Sequence, residues 1–251
     1  MSDRRRTTFI VLAVLFGLGL GFGAFAFPSL VVGWFGAGGR EIHKVHDLAY
    51  GAQAGILFAA ALVLQSVNPE RKPAIMLTAA ASGLANAVGY SLGGNFFFGL
   101  VPFVVLGLLW WLHPARHELR LAGPVHPLMA GLAVLAAIPL VIYALDQAAI
   151  QRACLAGDPH CDEFHYAGMA AIALAIPLAG LVASFSTRGW RISAWLAGLA
   201  TAVFGLAAML FPEHTSSVGT TWGAVALGGA VLFVAIAELR ARRVASLPEA
   251  A

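Results

Sequence analysis

Charge is what this sequence has least of. Only 11% of its 251 residues are charged, two of them lysines, whereas 60% are hydrophobic. A soluble domain carries about 25% charged residues, so a water-soluble globular domain is excluded, and so is a disordered chain. The isoelectric point is near 9.2. Even so, the net charge is only +3 and the basic residues sit at the ends of apolar runs, which excludes nucleic-acid binding. No HExxH and no Cys/His zinc spacing occurs. Gly-rich phosphate loops and heptads are also absent. No charged side chain lies clearly at mid-depth of an apolar run, which argues against a proton pump or a voltage sensor. Lys44 and Lys72 both stand at run boundaries, so a retinal Schiff base has no partner.

What remains is a polytopic membrane protein, with mean hydropathy +0.83. About 20 apolar residues cover the hydrocarbon core as a helix. Eight stretches qualify: Thr8 to Phe35, Asp47 to Gln65, Pro73 to Gly93, Phe96 to Leu112, Pro127 to Asp146, Tyr166 to Ser184, Ile192 to Phe211, and Thr221 to Leu239. Gly93-Gly94-Asn95 predicts a tight hairpin between the third and fourth. Eight spans put both termini on one side. The tails and even-numbered connections hold 12 of the 15 Lys and Arg, against Arg40, Lys44 and Arg152 opposite. By the positive-inside rule both termini are cytoplasmic, in a bacterial inner membrane.

The start of the chain carries a second pattern. Basic residues, an apolar run and Ala24-Phe25-Ala26 look like a secretory signal with a small-x-small cleavage site. The run continues to Phe35, longer than a signal core, so a retained first helix is expected. Gly17, Gly19, Gly21 and Gly23 read as close helix packing. Pro28, Pro139 and Pro177 predict kinks in spans one, five and six.

The halves compare at a shift of 119 residues, which pairs His46 with His165 and four-span half 1–120 with half 121–251. Six of the twenty positions from His46 to Gln65 match. Alanine-rich helices match by chance, so the histidine pair carries the comparison. Duplicated four-span halves have the same orientation in the membrane.

Polar chemistry collects on the extracytoplasmic side. It comprises His43, His46 and Asp47, then Asp146 and Gln147, then Asp158, His160, Asp162, Glu163 and His165, then Glu213 and His214. His43 and His46 share a helix face if the helix begins early. His46 and His165, equivalent under the repeat, are expected to converge, with His214 at the same depth. The expected metal ligands are therefore His43, His46, His165 and His214. Asp47, Asp162 and Glu213 are the candidate ligand, orienter or general base. Imidazoles with a carboxylate suit zinc, copper or iron. The competing reading is plain interfacial polarity. His113, His117 and His126 lie on the opposite side and read as ordinary interfacial residues. Cys154 and Cys161, in the oxidising compartment, read as a disulfide, with a pair of metal thiolates as the alternative. Gln53, Asn86, Tyr90 and Tyr143 are candidates for a small polar cavity below the histidines. Gly89-Tyr90-Ser91-Leu92-Gly93 matches a nucleophile-elbow pattern, but that motif needs a strand-to-helix turn.

His165-Tyr166-Ala167-Gly168 opening a core span, then Arg188-Gly189-Trp190-Arg191 as a basic turn and a further hairpin, resembles a broad group of small, uncharacterised bacterial multi-span membrane proteins. That resemblance covers about the last 90 residues and implies no activity. The chain is also similar to the haem A synthase family in its eight spans, its four-helix halves and a Cys pair seven positions apart. It departs from that family in spans four and eight, which lack paired haem-ligating histidines, and in a Cys pair that precedes span six rather than span two.

The sequence thus predicts an all-α bundle of eight transmembrane helices with an extracytoplasmic His/carboxylate metal site. The reaction would be hydrolysis or redox chemistry on a lipid-soluble or periplasmic substrate. The other classes left open are a small-molecule carrier or channel and a non-catalytic accessory subunit. The expected partners are the lipid bilayer and a second copy or a membrane-complex subunit.

Overall fold

The computed structural model describes residues 3–155 and 157–245. The outermost positions of the two expected halves, 1–2 and 246–251, lie outside the described residues. Within them the structure is helical, and the one β feature is an isolated bridge between Val125 and Phe185. Eight apolar helices follow one another: α1 (Asp3–Phe35), α2 (Glu41–Ser66), α3 (Pro73–Leu92), α4 (Phe96–Leu112), α5 (Pro127–Ala153), α6 (His165–Ser184), α7 (Trp190–Leu210) and α8 (Gly219–Val244). Seven are long and apolar enough to cross a membrane, and α4 is shorter, at 17 residues.

Local sequence explains the helix ends. Pro73 and Pro127 each open a helix at a position where the missing N–H has no intrahelical partner to lose. Asn95 caps α4 by accepting the Phe98 N–H at 3.2 Å. Gly94, with φ +91°, makes the hairpin turn that a side chain would strain. In α1 the glycine-rich stretch Gly19–Gly23 loosens into a π turn, and Phe25 turns left-handed (φ 65°) before the helix resumes at Ala26. The break falls three residues ahead of Pro28, which cannot donate to the Ala24 carbonyl. The Ala24-Phe25-Ala26 segment sits at this break.

The second helix begins earlier than its apolar run suggests. A tight turn at Gly38–His43 feeds directly into Lys44–Tyr50. His43 and His46 therefore lie on α2 together with Asp47, rather than in front of it.

Burial sets the order of the bundle. In α6 78% of the apolar stretch is buried and in α2 67%, against 17% in α5 and 22% in α8. The two central helices are thus the ones whose first turns carry the histidines. Small residues permit the approach. A side chain at Gly89 of α3 would strike the Ala171 backbone of α6 at 2.6 Å, and one at Gly205 of α7 would strike the Gly223 carbonyl of α8 at 2.7 Å.

The helices alternate in direction. At one end Arg5 of α1 donates to the Leu112 carbonyl that closes α4 at 3.3 Å, Arg6 pairs with Glu70 at 2.9 Å, and Arg240 of α8 donates to the Ser184 carbonyl that closes α6 at 3.1 Å. At the other end the Tyr50 hydroxyl donates to the Ala24 carbonyl at 2.9 Å and Arg152 donates to the Leu92 carbonyl.

Candidate metal centre

Four imidazoles meet at the end of the bundle where α2 and α6 begin. His43, His46, His160 and His165 each present a ring nitrogen, and the four nitrogens lie within 4.8 Å of one another, a group that could hold a metal ion. His43 and His46 share a face of α2. His165 is the first residue of α6, set by a left-handed Phe164 (φ 57°). His160 sits on the one-turn helix Pro159–Asp162. The rings are closely apposed. His46 stacks on His165 with centroids 4.9 Å apart, His43 meets His165 edge-on at 4.6 Å, and His43 lies 4.8 Å from His160. His43, His46 and His160 are all buried.

Hydrogen bonds at the rim orient the rings. The Ser216 hydroxyl donates to Gln147 Oε1 at 2.6 Å, so its oxygen accepts from His46 Nε2 at 3.1 Å. That places the His46 ring proton on Nε2 and leaves the lone pair on Nδ1. This Nδ1 is buried and has no hydrogen-bond partner among the described residues. An orphaned buried acceptor costs about 1–3 kcal/mol, which a bound cation would relieve. His165 repeats the pattern: Nε2 faces the Glu163 carboxylate at 3.1 Å, and Nδ1 lies 3.1 Å from His43 Nδ1. A ring that donates one N–H to an oxygen acceptor and turns the other nitrogen inward is the usual arrangement of a metal-ligating histidine. His160 differs, because both its nitrogens face oxygens, Asp158 Oδ1 and the Ile42 carbonyl, each at 3.2 Å.

The loop that carries His160 is well tied. Cys154 and Cys161 stand at disulfide distance, with Cα atoms 5.6 Å apart. They are thus paired with each other rather than offered to a metal. Buried Gln151 spans the loop, donating to the Cys161 carbonyl and accepting from the Ala167 N–H, both at 3.1 Å. Asp158 accepts the His160 backbone N–H at 2.9 Å, and that bond holds its carboxyl below the usual carboxylate range.

A cavity of about 290 Å³ opens beside the histidines, lined among others by His46, Asp47, His165, Glu163, Tyr50 and Tyr90. Asp47 is the one sequence-predicted carboxylate that lines it. Asp162 and Glu213 are exposed and do not. His214 stands apart from the four-histidine group. Its Nε2 lies 3.1 Å from the Glu41 carbonyl and its ring packs on Phe211. Tyr90 lines the cavity, whereas Gln53, Asn86 and Tyr143 do not. Ser91 is exposed on the last turn of helix α3, with no strand before it.

His160 enters the group without having been placed in the predicted ligand set. Its signal was adjacency to Cys161, which a disulfide draws toward the end of α5. Ser216 had no signal in the sequence, and its role follows from a left-handed backbone (φ 66°) in the turn after α7. At the opposite end of the bundle His113 is fully buried rather than interfacial. It accepts the Ala115 N–H at 3.0 Å and lies against Phe9 and the Gln65 amide. Burial pushes its pKa down to about 4.

No protein-family model, curated protein or solved structure matches this chain.

Proposed function

We propose that the chain is an eight-span bacterial inner-membrane metallohydrolase whose histidine centre faces the extracytoplasmic side. The carrying observation is the convergence of four imidazole nitrogens within 4.8 Å beside a cavity lined by Asp47. Helix α4 counts as a span because 17 residues at 1.5 Å each reach about 26 Å, within the range that crosses a bilayer. The Lys/Arg asymmetry supports cytoplasmic termini. The stacking of His46 on His165, equivalent under the 119-residue shift, supports two four-helix halves of common descent.

In this reading His43, His46 and His165 are the ligands, and His160, whose nitrogens face Asp158 Oδ1 and the Ile42 carbonyl, is an orienting neighbour. An all-imidazole donor set suits zinc, copper or iron. Zinc fits hydrolysis, because three protein ligands leave a position for water. A zinc ion held by these imidazoles would supply Lewis acidity and a water of lowered pKa. Asp47 takes the proton from the attacking water, the water oxygen adds to the carbonyl carbon of an ester, and the bond to the leaving alkoxide breaks. Asp47 then passes its proton to that alkoxide. Glu163 holds His165 in the ligating tautomer, as Ser216 holds His46.

The test is ester hydrolysis by purified, zinc-loaded protein. Asp47→Asn is expected to keep its zinc and lose about 10²–10⁴-fold in kcat, the range of a general base. Full turnover by Asp47→Asn, or by chelated protein, contradicts the reading.

A further inference from the structure

A larger cavity lies away from the histidines, deep in the second half. It holds about 770 Å³ between α5, α6, α7 and α8, a size typical of ligand pockets. Its lining is apolar along almost its whole length, with Leu132, Leu140, Ile176, Phe204 and Phe233 among the walls. Pro139 of α5 and Pro177 of α6 both line it. Each removes an intrahelical hydrogen bond and displaces the preceding turn, so proline shape and cavity coincide.

Three observations say what fills it. First, it opens between the two helices that are least buried, α5 and α8. Its rim residues Leu135, Ile142, Trp222 and Val225 are all more than half exposed, so the medium at its mouth is bilayer hydrocarbon. Second, it is long. The lining on α5 runs from Leu132 to Asp146, which at 1.5 Å per residue is about 21 Å, more than half of a 30 Å hydrocarbon core. Third, its polarity is one-sided. The Thr201 hydroxyl is turned onto the Ala197 carbonyl of its own helix, and the other polar groups, on Tyr143, Asp146 and the Trp222 indole, stand at the histidine end. A long apolar slot, open to lipid and polar at one end, has the chemistry of an acyl chain with its ester at the interface.

The slot is linked to the histidine centre through two residues. Tyr143 donates its hydroxyl to the Ser216 carbonyl at 2.5 Å, and the Ser216 hydroxyl lies 3.1 Å from His46 Nε2. A wall of the groove and a ligand of the centre thus hold the same serine from two sides.

We propose that the groove between α5 and α8 takes one acyl chain of a bilayer lipid, and that a lipid ester is the substrate class of the histidine centre. The second half of this statement rests on the hydrolytic reading above, and the first does not.

The test uses the full chain in nanodiscs that contain a phosphatidylcholine with a photoactivatable diazirine in its acyl chain. Gly228 and Gly229 are neighbours on α8, and a side chain at either meets nothing within 4 Å. Gly229 lines the groove, whereas Gly228 does not. In the wild type, crosslinks are expected to concentrate on the α5 and α8 walls of the groove. In Gly229→Phe they fall roughly tenfold, the effect of losing about two buried methylene contacts. Gly228→Phe leaves them unchanged, and both variants elute as a single species at the wild-type position in size exclusion with the wild-type thermal unfolding midpoint, which shows that both fold. Labelling spread evenly over the exposed Phe96 to Phe103 face and the groove, or labelling that survives Gly229→Phe, overturns the acyl-chain site. Groove labelling as expected with no release of fatty acid from any lipid ester leaves the groove standing and overturns the substrate assignment.

Discussion

The imidazole of His46 lies nearly flat on that of His165, with centroids 4.9 Å apart and planes 17° apart. The two residues are 119 positions apart in the chain, and each stands in the first turns of one of the two most buried helices. No local interaction makes such a pair. It exists because α2 and α6 pack into the centre of the bundle and start at the same end.

Ser216 should behave as a positioning residue. Replacing it with alanine removes the acceptor that fixes the His46 proton on Nε2. Metal affinity is expected to fall about 10–100-fold, as for other partners that orient a ligating ring, while the thermal unfolding midpoint in detergent changes little. Competition titration with a zinc-binding dye measures the first, and Ser216→Thr, which keeps the hydroxyl, should restore it.

This serine also marks the limit of what could be read in the sequence. The all-helical class, the positions of eight apolar helices and the meeting of His43, His46 and His165 were legible, because hydropathy and helix ends are local properties. The exchange of His214 for His160 in the four-histidine group was not. It depends on a turn at Ser216 that presents its hydroxyl to His46, and on a Cys154–Cys161 pair that folds His160 back over α2. Both are tertiary facts without periodicity. The early start of α2 was hidden as well, because Glu41, His43, Lys44 and His46 dilute the apolar signal of a turn that the bundle nevertheless buries.

The Cys154–Cys161 pair closes a short loop that holds His160. Its reduction, or the double change to serine, should lower stability by about 2 kcal/mol on the loop-entropy scale and weaken metal binding through His160. Unfolding curves with and without reductant check the first effect, and the zinc titration checks the second. No response of the zinc affinity to reductant would mean that His160 takes no part.

Acid should destabilise the bundle through His113. Its pKa is held near 4 in the fold by burial, against about 6.5 unfolded. Between these values the unfolded chain binds the proton and the folded chain does not, so stability is full above about pH 6.5 and falls as pH drops toward 4. The loss approaches about 3 kcal/mol. Unfolding midpoints across this window should slope in the wild type and slope less steeply in His113→Gln.

Helix packing offers a separate check. Gly205→Ala places a methyl group against the Gly223 carbonyl of α8 and should cost about 1–3 kcal/mol by overpacking. Gly131→Ala on α5, where a side chain meets nothing within 4 Å, should be neutral or stabilise by up to about 1 kcal/mol through helix propensity. Paired thermal-shift measurements decide it.

X-ray absorption spectroscopy of the zinc-loaded, purified protein, compared with the His46→Ala and His165→Ala variants, tests the convergence of the imidazoles most directly. The wild type should bind one ion per chain and show nitrogen or oxygen scatterers at about 2.0–2.1 Å with the multiple scattering of at least three imidazoles, and each variant should lose the ion. Zinc that fails to bind stoichiometrically, or a spectrum with one imidazole or none that both variants reproduce, would contradict the metal centre.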